Sequence, residues 1–237
     1  MPEPALEPAV LSDENARLLE RMKQHYYTPT EVALHDKKDD LWVSWLGSVY
    51  NLTPLIAQYY GDPRLAPIVK NAGRDISHWF DASTGTLQTH MDPRTGMRLP
   101  LCPDGVPVHL ADATQVHSER ALEAEIPWWM DHLKYRIGRL SAKTRHVRIV
   151  NTLTGHEMLL EICTEEPIQA ILNRYIVYNA HASGYVWKFL GRVLDMSQTL
   201  AENGIPDESD TMAHVGITEK DWLPALFLYY ADDLTVA

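Results

Sequence analysis

The amino-acid sequence predicts an α+β protein built from two small domains, and three observations carry that prediction. Short capped helices and a compact hairpin alternate over residues 26–92. Residues 81–133 then hold three glycines and five prolines with little periodicity, the composition of irregular chain. From Ser141 onward a second hairpin, an amphipathic helix and further extended pieces follow. A long stretch without regular structure is uncommon inside one compact domain. The 237 residues therefore divide into an N-terminal helix (1–25), a first domain (26–92), an irregular connector (93–140) and a second domain (141–237).

In the N-terminal segment Leu11, Leu18, Leu19, Met22 and Tyr26 recur at helical spacing, and Ser12 is placed to cap the start. In the first domain Thr28, Pro29 and Glu31 form a capping-box signature before a short helix. Leu41, Val43 and Trp45 alternate, Gly47 permits a turn and Val49 resumes extended chain, which is a hairpin. Thr53 and Pro54 open a second helix by the same capping device, Gly61-Asp62-Pro63 break it, and LAPIVKNAG gives a third helix ending at Gly73. Short helices over a small sheet leave a cleft between them. Trp128-Trp129 after Pro127 reads as an apolar anchor for the connector. In the second domain Val147 and Ile149 alternate with His146 and Arg148, Gly155 turns the chain, and Met158, Leu160 and Ile162 alternate again. Thr164 is the expected cap of a helix with Pro167 in its first turn and Ile168, Ile171, Leu172 and Tyr175 on its apolar face. The extended pieces YVWKFLGRVL and PALFLYYADD complete the domain.

Charge and motifs exclude several classes. A formal charge of −11 argues against nucleic acid as a partner. No apolar run is long enough to cross a bilayer, and MPEPALEPAV lacks the basic start and apolar centre of a signal peptide, so a soluble, intracellular protein is expected. Cys102 and Cys163 lie in no CxxC, and free thiols are expected. GxSxG, GxxxxGK[ST] and GxGxxG are absent, and His109, His117 and His132 match no zinc-ligand spacing. No enzyme is indicated. One segment is basic: Arg136, Arg139, Lys143, Arg145 and Arg148 gather between Lys134 and Ile149, where an accessible, partner-binding surface is expected.

Trp42-Val43, Val49-Tyr50-Asn51-Leu52-Thr53 and Ala72-Gly73-Arg74-Asp75, followed by Phe80, resemble the landmarks of the cytochrome b5-like haem-binding domain over about residues 26–92. That resemblance implies haem b held by two axial histidines. Where the family carries His-Pro-Gly-Gly, this chain reads Tyr59-Tyr60-Gly61-Asp62, and the nearest histidine after Phe80 is His90. Tyrosinate ligates haem iron in some proteins. Tyr59 and His90 are accordingly the expected haem-iron ligands if the cofactor binds.

Gly191-Arg192-Val193-Leu194 and Thr199-Leu200-Ala201-Glu202-Asn203-Gly204-Ile205 are similar to the ubiquitin-like β-grasp fold, over roughly 143–234. The expected fold is α+β, a cytochrome b5-like domain followed by a ubiquitin-like β-grasp domain. That combination resembles a family of axonemal proteins. The resemblance implies a non-enzymatic structural or regulatory component of motile cilia and flagella, partnered by radial spoke proteins and bound to neither membrane nor nucleic acid. A haem-binding redox or sensor protein is the alternative.

Overall fold

The computed structural model of the protein describes residues 24–110 and 126–230, in two compact units that divide between Leu140 and Ser141. The predicted N-terminal helix falls on residues outside those described, except for its end, where Gln24 is helical, His25 is not, and Tyr26 lies in a short strand, β1 (Tyr26–Tyr27).

In the first unit helix α1 (Pro29–Leu34) starts on a reciprocal capping box. Thr28 Oγ1 accepts from the Glu31 N–H at 3.1 Å, and the Glu31 carboxylate accepts from the Thr28 N–H at 2.8 Å. Two otherwise orphaned amides are thereby satisfied, which is worth about 1 kcal/mol. After β2 (Asp36–Lys37), strands β3 (Asp40–Trp45) and β4 (Ser48–Asn51) form the hairpin. Leu46 and Gly47 turn it with φ of 47° and 74°. Both values being positive marks the tight turn that suits strand twist. Leucine is an unusual residue there, and its N–H donates to Ser77 Oγ at 2.9 Å. Leu41, Val43 and Trp45 point into the core.

Helix α2 (Thr53–Gln58) is not capped by Thr53 as its sequence suggests. The Thr53 hydroxyl instead accepts from the Leu41 N–H at 2.9 Å, fastening the helix start to β3. A 3-10 turn (Pro63–Leu65) and α3 (Ala66–Lys70) follow, and a second 3-10 turn (Ser77–Trp79) leads to Phe80.

The expected irregular connector is the largest departure. Residues 93–110 and 126–140 belong to the first unit rather than linking two domains. β5 (Thr89–Met91) pairs with β6 (Arg98–Pro100), and a short helix α4 (His132–Tyr135) runs directly into strand β7 (Arg136–Leu140). β7 completes a five-stranded sheet of order β1-β7-β4-β3-β2, parallel to β1 and antiparallel to β4. Gly138 makes this close approach: a Cβ there would stand 2.6 Å from the His25 carbonyl oxygen. Val108, Trp128, Trp129 and Tyr135 are buried in the same core as Leu41, Leu55 and Phe80. The physical reason is area: bulky apolar side chains are stabilised by leaving water, and the core of residues 26–92 offers them a place.

The second unit has hairpin β8 (Thr144–Asn151) and β9 (Glu157–Cys163), helix α5 (Ile168–Tyr175), and strands β10 (Tyr185–Phe189), β11 (Arg192–Val193) and β12 (Ala225–Tyr230). Their order is β11-β10-β12-β8-β9, with β8 and β12 parallel at the centre, which is the β-grasp arrangement. Ile168, Ile171, Leu172 and Tyr175 of α5 pack with Val147, Ile149, Leu226 and Leu228 of the sheet. Thr164 does not cap α5. Its hydroxyl donates to the Lys143 carbonyl, and Pro167 takes the cap position. Glu166, 2% exposed, accepts instead from the Cys163 N–H and from Arg174 Nε, tying the strand end to the helix.

The basic segment is not one accessible surface. Arg145 is 6% exposed, and Lys143 Nζ lies 2.8 Å from Asp207 and 3.1 Å from Asp210. Arg139 covers the ring of Tyr26. Burial by itself would raise the Asp207 carboxyl, but hydrogen bonds from Lys143 and Ser209 outweigh it and hold the group at about 2. An unfolded aspartate titrates near about 3.9, so this contribution to stability is present above about pH 4 and is lost as pH falls toward 2. Asp207→Asn should be less stable than wild type at pH 7, and the gap should close across that window in urea melts. A gap that does not change with pH would place the effect elsewhere.

Candidate functional site

The cleft-facing end of α2 carries Tyr59, half-buried against the core. Its hydroxyl lies 2.7 Å from His109 Nε2. His109 Nδ1 accepts from the Trp128 backbone N–H at 3.0 Å, which fixes the tautomer. A nitrogen that accepts carries no proton, so the proton of the neutral ring is on Nε2 and is donated to Tyr59. The ring then has no lone pair to offer a substrate or a metal.

His109 sits at the end of a strap, residues 102–110, that crosses the helices. At its other end Asp104 takes hydrogen bonds from Lys70 and from Asn71, the latter at 2.7 Å. Between these fastenings Gly105 passes close to Pro67, Val108 is buried, and Cys102 and Leu110 pack on the core. The Trp128 indole N–H closes the strap by donating to the Val108 carbonyl at 3.2 Å. Burial pushes the Cys102 thiol up from its ordinary value, so it is held in the unreactive protonated form.

His90 is exposed on β5, and the Tyr59 hydroxyl is engaged by His109. The residues a few positions after Phe80, Thr84-Gly85-Thr86, carry no imidazole. His109 does meet Tyr59, but a ligating histidine donates its second N–H outward, whereas Nδ1 here faces a donor. As arranged, the Tyr59–His109 pair therefore does not fit haem iron. Among the described residues no group of three or more His, Cys, Asp or Glu side chains is placed to hold a metal ion, and no helix is long and apolar enough to cross a membrane.

His109 matches no zinc-ligand spacing, and its pairing with Tyr59 leaves no mark in the sequence. Nothing local could have shown it, because the two residues are 50 positions apart. Replacing His109 with alanine removes both hydrogen bonds and should cost about 1–3 kcal/mol in a urea melt, and Tyr59→Phe about 1 kcal/mol. Equal stability of His109→Ala and wild type would show that the relay fastens nothing.

Comparison with known proteins places the chain in a family. The model of the cytochrome b5-like haem/steroid binding domain matches residues 28–141, so the match extends through the strap and β7. Cytochrome b5 domain-containing protein 1 of Xenopus laevis is 48% identical over 214 residues, covering 90% of this chain and 98% of that protein. The Homo sapiens protein of the same name is 46% identical over 217 residues, covering 92% and 94%. Among solved structures, Caldiarchaeum subterraneum ubiquitin is similar over 37% of this chain and 94% of that chain, at 16% identity and a TM-score of 0.29.

Proposed function

Because the chain belongs to the cytochrome b5 domain-containing protein 1 family, we propose that it is a non-enzymatic structural and regulatory component of the motile-cilium axoneme, at the radial spokes, required for ciliary beating. The observation that carries this reading is that the likeness runs over 90% of the chain and so takes in both units together. The strap supports it: a segment fastened at both ends, by His109 to Tyr59 and by Asp104 to Asn71, is suited to presenting a fixed surface. Its partners in this reading are radial spoke proteins, and its place is the axoneme. Cilia isolated from cells expressing a tagged chain should retain it after detergent removes membrane and matrix, and cilia that lack radial spokes should not. Recovery in the detergent-soluble fraction, or retention without spokes, would sink the assignment.

The second reading, a haem-binding redox or sensor protein, is favoured by the haem/steroid description of the matching domain. It requires the bond between Tyr59 and His109 to open and His90 to leave its exposed strand. Visible spectra of the purified chain mixed with haemin decide: a Soret band lost in both Tyr59→Phe and His90→Ala supports this reading, and a band indifferent to both removes that ligand pair.

A further inference from the structure

A cavity in the first unit, of about 380 Å³, opens beside the hairpin tip and is separate from the Tyr59–His109 relay, none of whose residues line it. Leu46, Trp129 and Met130 supply the apolar part of its walls, and Ser48, Thr84 and Thr86 a polar rim. The rings of Trp45 and Tyr50 stack with centroids 3.3 Å apart, and the buried Trp129 lines another side. The polar groups converge on one region. The Tyr50 hydroxyl lies 3.0 Å from His132 Nδ1, and Arg136 stands beside them at the start of β7.

Charge sets the chemistry of this cavity. Burial pushes Tyr50 up from its ordinary value, and burial together with the Arg136 charge pushes His132 down, so both are neutral near pH 7. Arg136 is then the one formal charge in the lining. Among the described residues no carboxylate pairs with it, and its Nε reaches only the Gly138 carbonyl, at 3.5 Å. A half-buried cation without a counter-charge is costly, and an anion relieves that cost. In a chain of formal charge −11 with 32 acidic residues, a cation that no carboxylate of the described residues meets is not explained by stability. A concave apolar space of a few hundred Å³ with convergent polar groups is the usual form of a small-ligand site.

We propose that this cavity binds a small organic anion, an apolar body lying against Leu46, Met130 and the accessible edge of Trp129 with its carboxylate on the Arg136 guanidinium. Arginine suits that role because its planar fork matches a carboxylate through two parallel hydrogen bonds. Neutral His132 and Tyr50 orient the polar end without cancelling the charge.

The test uses the purified full-length chain with 2-naphthoate as probe and 2-naphthamide as its uncharged counterpart, titrated by calorimetry. The acid should bind at least about tenfold more tightly than the amide, the difference one charge-assisted pair supplies. Arg136→Gln should remove that preference, and Arg136→Lys should keep part of it. Equal binding of acid and amide to wild type, or no binding of either, would overturn the proposal, and this comparison stands even if Arg136→Gln does not fold. An acid preference that survives in a folded Arg136→Gln would place the anion elsewhere and overturn it equally.

Discussion

Replacing Arg145 by glutamate is expected to unfold the second unit. Arg145 points inward from β8, and its two terminal nitrogens donate to the Pro206 carbonyl at 2.9 Å and the Ile205 carbonyl at 3.0 Å. Burial lowers the pKa of the guanidinium while nearby Asp207 raises it. The group stays charged, since arginine keeps its proton in proteins. Each hydrogen bond from a charged donor is worth about 1.5–3 kcal/mol, and each carbonyl left without a donor adds a penalty of its own. Glutamate would set an unpaired carboxylate against two carbonyl oxygens and close to Asp207, a further cost of several kcal/mol. Together these reach the whole stability of an ordinary domain, about 5–15 kcal/mol. Arg145→Met keeps the apolar stem and loses only the donors, so it should fold with about 3 kcal/mol less stability. Amide NMR spectra of the full chain check both: Arg145→Glu should lose the dispersed signals of residues 141–230, and Arg145→Met should keep them. Native spectra for Arg145→Glu would show that the guanidinium is dispensable.

That arginine also shows where the sequence was legible and was not followed. The alternation that turns Val147 and Ile149 inward turns Arg145 inward with them, because strand side chains repeat with period two. Proximity in sequence does not separate the two faces of a strand, so the basic run does not form one surface. The capping box at Thr28 and Glu31, the alternating hairpin and the apolar face of α5 rest on contacts within a few residues, and periodicity alone locates them. β7 does not. Arg136–Leu140 is five residues long and bears two arginines and a glycine, so its strand character comes from filling the gap between β1 and β4. Thr53 illustrates the same limit at one atom: its hydroxyl finds the Leu41 amide in space before it can cap its own helix. The Tyr59–His109 relay is wholly tertiary and left no pattern to read.

Trp128→Ala should be the most damaging single truncation in the first unit. Trp128 is fully buried, with its ring edge-on to Trp45 at 5.4 Å and to Trp129 at 5.4 Å, and near Phe80 at 6.3 Å. Truncating a tryptophan in a packed core costs about 3–5 kcal/mol, because neighbours held in a five-stranded sheet cannot collapse into the space. The indole N–H that holds the Val108 carbonyl is lost as well, so the strap should loosen at residues 102–110 before the β3–β4 hairpin does. Trp128→Phe separates the two effects: much of the ring volume remains, the hydrogen bond goes, and about 1–2 kcal/mol should be lost. Hydrogen exchange of the full chain reads the order of opening. In Trp128→Ala, amides from Gly105 to Leu110 should exchange fast while those of Leu41 to Trp45 stay protected until the unit unfolds. If the variant melts within about 1 kcal/mol of wild type with an unchanged exchange pattern, residues 93–140 are a connector after all, and the core they share with Leu41 and Phe80 contributes little.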